Sequence, residues 1–153
     1  MGFRFGYLTL KQRKYWSLRR SGLTQADISR KMDVTRQTVN KTFNAIDSRV
    51  SKALLEAAQI NRIETTRLDQ EKGYLLGRSP SLRLDVLITL SERNGIQIWY
   101  KGESGCSECT GRDSCMQKLL IEAEDRGIQL PEKAEDKEPS ELADILFKKI
   151  LEE

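Results

Sequence analysis

Val39, Phe43, Ile46, Val50, Ala53, Ala57 and Ile60 recur at alternating spacings of 4 and 3, the longest regular pattern in the chain. That period belongs to a helix, and no glycine or proline interrupts Thr35 to about Arg67, so one long helix is predicted there. The stripe is a heptad-like seam. Val39 and Phe43 are needed by shorter helices upstream, which leaves Ile46 to Ile60, with Leu54 and Ile63 beside them, for another partner. Two partners fit: the chain's own C-terminal part, or the same helix of a second copy.

Upstream, Thr9 and Gln12 have capping-box spacing, and the helix they open runs to about Arg20, with Gly22 as its left-handed stop. Tyr15 and Leu18, with Leu8 or Leu10, form its apolar stripe, and Trp16 is assigned to the core. Thr24 caps a second helix of about 24–32 with Asp27 three residues on, and Ile28 and Met32 lie on one face. Asp33 suits a left-handed turn. Val34 re-enters the core and Thr35 caps the long helix. Three helices joined so tightly read as a helix-turn-helix unit.

Downstream the period changes to 2. Leu82, Leu84, Val86, Ile88 and Leu90 alternate with mostly polar positions, as do Ile96, Ile98 and Tyr100, and Asn94-Gly95 between them is a strong hairpin turn. A lone hairpin is marginal in water, so residues 82–101 must gain a third strand from Tyr74–Leu76, lie on helices, or pair across a dimer. A glycine-rich loop follows. Then come a helix from about Asp113 to Arg126, with Met116, Leu119, Leu120 and Ala123 inward, a charged linker Pro131–Pro139, and a last helix over 140–152 bearing Leu142, Ile145, Leu146 and Ile150. The expected class is α+β and mostly helical. A DNA-binding domain is expected over 1–66, and an α+β effector or dimerising part over 73–153, with its cysteine loop at 102–115.

Charge sharpens this picture. Residues 1–52 hold 12 Lys/Arg against 3 Asp/Glu, net +9, and residues 53–153 hold 14 against 20, net −6. A basic front half points to nucleic acid bound at one end. No apolar run approaches the ~18–20 residues of a membrane span, and the start Met-Gly-Phe-Arg is no secretory signal, so a cytoplasmic location is expected. The chain has no histidine, which removes the usual general base and the commonest metal ligand. No phosphate-loop, nucleophile-elbow or paired-carboxylate motif appears, and no enzyme is expected.

On the long helix, Arg36, Gln37 and Asn40 are of the types that hydrogen-bond base edges, while Thr24, Gln25, Thr35 and Lys41 are placed to hold phosphates near helix N-termini. Double-stranded DNA is the expected ligand. All three cysteines fall within ten residues: Cys106, Cys109 and Cys115, a C-x2-C-x5-C pattern among Gly, Ser, Glu, Thr and Arg. Three readings stand. The thiolates hold zinc, completed by Glu103, Glu108, Asp113, water or a second chain's thiolate, or they hold an iron–sulfur cluster. Cys106 and Cys109 are a redox pair. Or the cysteines are incidental to function.

The blocks Leu8–Gln12, Ser21–Ile28 and Thr35–Val39, followed by one long helix, resemble the archaeal Tfx-type helix-turn-helix regulators, and more distantly sigma-factor region 4 and LuxR-type readers. The likeness covers about residues 7–60. It departs at Ser29, where alanine is usual, and at Asp33, where glycine is usual. It implies a DNA-binding transcription regulator and says nothing of the hairpin or the cysteine loop. The sequence therefore leads to a sequence-specific, homodimeric transcriptional regulator with a metal- or redox-sensing loop. The alternative is a metal-stabilised adaptor that docks on the transcription machinery without reading DNA sequence.

Overall fold

A computed structural model describes residues 7–102 and 105–152. The chain is a mixed helix-and-sheet protein of two compact units, Met1–Lys101 and Gly102–Glu153. The division falls after the last strand. The sequence pattern alone places it between residues 66 and 73, inside what is one sheet.

The first unit opens with helix α1 (Leu10–Arg20) and helix α2 (Gln25–Met32), each started by a full capping box. The Thr9 and Gln12 side chains each accept from the other's backbone N–H, at 3.2 and 3.0 Å. Thr24 and Asp27 do the same at 3.2 and 3.0 Å. Each box satisfies two N–H groups that helix geometry leaves without partners. Asp33 ends α2 at φ 53°, the left-handed conformation expected of it.

Helix α3 runs from Arg36 to Ile60, with Thr35 as its N-cap. It stops about seven residues before the expected end near Arg67. Arg62 takes φ 54°, the Arg62 N–H donates to Gln59 O, and the Ile63 N–H donates to Ala58 O. This is the double bond of a Schellman stop, with arginine where glycine is usual. Ile63 is drawn into the core at 6% exposure, which offsets the roughly 1–2 kcal/mol that a left-handed non-glycine residue costs.

The freed residues form strand β1 (Glu64–Asp69), followed by β2 (Tyr74–Ser79), β3 (Leu84–Ser91) and β4 (Gly95–Tyr100), an antiparallel sheet in the order β1-β2-β3-β4. The expected hairpin and third strand are β3, β4 and β2. β1 lies where a helix was expected. Leu75, Ile88 and Ile98 are aligned across β2, β3 and β4. With Val86 and Leu90 they join one core that includes Tyr15, Trp16, Ile28, Val39 and Phe43. Ile46, Val50, Ala53 and Leu54 are fully buried in that core, and Ala57 nearly so. The seam is thus filled by the chain's own sheet and α1, and Ile60 alone of the stripe is exposed. The intrachain partner is the one observed, and the stripe is closed to a second copy.

Two arginines lock α1 in place. Arg19 pairs with Asp47 of α3 at 2.6 Å and stacks 4.4 Å over the Phe43 ring. Arg20 lies 3.5 Å over Trp16 and donates to the backbone carbonyls of Lys72 (3.2 Å) and Leu90 (2.9 Å), tying α1 to the ends of the sheet.

The second unit holds a 3₁₀ turn at Cys106–Glu108, helix α4 (Arg112–Asp125), a 3₁₀ turn at Ala134–Asp136, and helix α5 (Pro139–Glu152). α4 packs on α5, with Leu119, Ala123, Leu142, Leu146 and Ile150 buried. Met116, Leu120 and Ile145 are half-buried. The stretch expected to be a plain linker buries Ala134 and is fastened by an Arg112–Glu138 ion pair at 3.0 Å. Glu122 is wholly buried and paired with Arg126 at 2.9 Å. Among the described residues no helix is long and apolar enough to cross a membrane.

Candidate functional site

α3 carries two kinds of surface. Val39, Phe43 and Ile46 fix its inner side in the core, while Arg36, Gln37, Asn40 and Lys41 are exposed on its first two turns. Those four side chains engage no hydrogen-bond or ion-pair partner among the described residues. Lys41 and Arg36 face no nearby acid on their own helix: between Val34 and Leu55 the single carboxylate is Asp47, and Arg19 neutralises it. The exposed surface continues through Asn44 and Ser48 to Lys52. Asn44 is one i+4 step from Asn40, so helix spacing extends this surface beyond Lys41.

The residues expected to hold phosphates divide differently. Gln25 is exposed on the first turn of α2. The Thr24 hydroxyl is already engaged, accepting from the Asp27 N–H and donating to its carboxylate at 2.7 Å. The Thr24 hydroxyl and N–H, with the Arg30 guanidinium, hold the Asp27 carboxyl below its ordinary pKa. Thr35 likewise accepts from the Thr38 N–H at 3.1 Å. Both threonines are caps first. A phosphate at the start of α2 would meet a carboxylate whose charge is offset by Arg30 at 2.6 Å.

Taken by units, Met1–Lys101 has 19 Lys/Arg and 9 Asp/Glu, net +10, and Gly102–Glu153 has 7 and 14, net −7. The charge boundary and the structural boundary coincide.

The cysteines form a second, separate feature. Cys106 and Cys115 are half-buried, Cys109 is exposed, and none of the three forms a disulfide. Successive turns fold the loop onto the start of α4: Cys109 N–H donates to Cys106 O (3.3 Å), Arg112 N–H to Cys109 O (3.3 Å), and Cys115 N–H to Gly111 O (2.9 Å). Burial pushes the Cys115 thiol above its ordinary pKa, and the charges of Cys106 and Cys109 push it further. Among the described residues, no group of three His, Cys, Asp or Glu side chains is already arranged to hold a metal ion. Glu103, one expected completing ligand, lies outside the described residues.

These thiols should differ in reactivity. With iodoacetamide near neutral pH, Cys109 is expected to be alkylated first and Cys115 last, because the thiolate is the nucleophile. The Cys115 rate should keep rising at pH values where an ordinary thiol has levelled off. Peptide mass mapping of a time course checks the order, and equal rates at Cys109 and Cys115 would contradict it.

No protein-family model matches the chain, and no curated protein or solved structure is detectably similar to it.

Proposed function

We propose that α2, the Asp33 turn and α3 act as a helix-turn-helix, and that the chain is a sequence-specific double-stranded-DNA-binding transcriptional regulator. The observation that carries this reading is the outer surface of α3. Four unpartnered polar and basic side chains lie on a rigidly rooted helix within a unit of net charge +10. In this reading Arg36, Gln37 and Asn40 meet base edges in the major groove, and Lys41 and Gln25 hold phosphates. The resemblance of residues 7–60 to Tfx-type regulators supports the same reading. Two chains act together, since one recognition helix engages a single half-site. They meet through a surface other than the buried α3 stripe.

The test is a mobility shift on selected duplexes with salt titration. Arg36→Ala or Gln37→Ala should each cost about 1–3 kcal/mol at one base position and relax the preference there. Lys41→Ala should weaken all duplexes alike and lower the salt slope by about 1. The specific complex should contain two chains. Site preference unchanged in both Arg36→Ala and Gln37→Ala would remove α3 as the reader. Binding with no preference over unrelated DNA would favour a protein-docking adaptor.

A further inference from the structure

We propose that Cys106, Cys109 and Cys115 bind a single thiophilic metal ion of the zinc class as three thiolates, with its fourth position open. Three features of the second unit carry this. The first is placement. The chain of turns from Gly105 to Gly111 returns the loop to the start of α4, and a Cβ built at Gly111 would lie 3.7 Å from the Cys109 sulfur. Cys109 therefore sits over the helix N-terminus. Cys115 is in the first turn or so of that helix, and a helical side chain leans toward its own N-terminus, which carries the third sulfur toward the same turn.

The second is the helix end itself. α4 is 14 residues long, its N-cap is Gly111, and no side chain caps it. Its dipole favours negative charge there, while its first N–H, that of Arg112, is already given to the Cys109 carbonyl and holds the loop on the helix end. The third is freedom to close. The three sulfurs are not yet gathered about a point, and a Cβ at Gly105 would meet nothing within 4 Å. Ligation tightens an open loop onto a fixed helix. Cys109 is exposed, so an ion reaches it from solvent, and the two half-buried thiols follow.

The donor set decides the ion. Three soft sulfurs in a chain with no histidine select zinc, cadmium or cobalt over magnesium or calcium. On binding, each thiol loses its proton and the sulfur electron pair goes to the metal, so one divalent ion releases three protons and leaves a centre of charge −1.

The experiment titrates the full chain with Co²⁺ under argon after chelator and reductant treatment. It reads sulfur-to-cobalt charge-transfer absorption, thiol titre and released protons. One equivalent should produce the band and protect three thiols. Cys109→Ser should weaken binding about tenfold or more while leaving the helical circular dichroism unchanged. The wild-type titration stands alone if the variant fails to fold. Absence of the band in wild type, a band indifferent to Cys109→Ser, or purified protein carrying iron with inorganic sulfide would each overturn the proposal. None of these readouts involves DNA, so the metal site and the DNA reading fail or survive separately.

Discussion

Val50→Glu should abolish the folded state of Met1–Lys101. Val50 is completely buried in the core that α3 shares with the sheet and α1, the cluster that also holds Ile46, Ala53, Leu54 and Ile88. A carboxylate there has no described partner, and burying it unpaired costs several kcal/mol even if it takes up a proton. A loss of more than about 4 kcal/mol removes nearly all the stability of a domain at the lower end of the usual range of about 5–15 kcal/mol, and any further cost of the buried charge leaves the variant largely unfolded or trapped in aggregates. Val50→Ala, which leaves only a cavity, should cost about 2 kcal/mol and stay folded. Circular dichroism and urea titration of both variants check this. A folded, soluble Val50→Glu chain with an unchanged midpoint would mean that this side of α3 is not the core of the unit. A dimer that merely fell apart into folded monomers would mean the same.

The second large effect is at the junction of α1 and the sheet. Gly73 has φ 70°, and a Cβ on it would come within 2.6 Å of Arg20 Nη2, 2.9 Å of Leu90 O and 3.0 Å of Trp16 Cζ2. Gly73→Ala should therefore cost about 3 kcal/mol, about 1–2 from the left-handed backbone and the rest from overpacking. Arg20→Ala should cost about 2–4 kcal/mol, through lost stacking on Trp16 and lost hydrogen bonds to the carbonyls of Lys72 and Leu90. The two changes should not add. With Arg20 shortened, the closest clash at residue 73 disappears, so the double variant should be more stable than the sum of the two losses implies. A double-mutant cycle in urea measures this, and strict additivity would show that Arg20 and Gly73 do not share the junction.

What could be read from residues alone was local. The Thr9–Gln12 and Thr24–Asp27 boxes, the Asp33 turn and the Asn94-Gly95 hairpin each need only neighbours three or four positions away, and each is present. The end of α3 was hidden because its stop uses Arg62, a residue with no special preference for a left-handed conformation. β1 was hidden because it is an edge strand with its first four residues exposed and a bulge between Thr65 and Arg67, so it shows no alternation. The 4-3 stripe announced a buried face but could not say whether a helix or a sheet would cover it. Arg20 was counted among the basic residues of α1. Its carbonyl partners, Lys72 and Leu90, are 52 and 70 residues away, and no sequence window contains them. At the candidate reading surface, the exposure of Arg36, Gln37, Asn40 and Lys41 followed from helix phase once Val39 and Phe43 were placed inside. The engagement of Thr24 and Thr35 as caps was predicted too, and that duty competes with the phosphate role also given to them.

α3 is held on one side along its whole length: Val39 and Phe43 of its first turns are buried against α1 and α2, its later turns lie against the sheet, and Arg36, Gln37, Asn40 and Lys41 face outward. A 25-residue helix is about 37 Å long at 1.5 Å per residue, and a tilt of about 5° at its rooted end moves the other end by roughly 3 Å. That is the span of a whole hydrogen bond. The first turns of α3 move together with α1 and α2, which pack on them, so the aim of all three relative to the sheet is set in part by side chains such as Ala57 and Ile63 that lie far from Arg36. Substituting small for large residues in the sheet core is thus a way to retune what the far tip touches, without altering any residue on the tip itself.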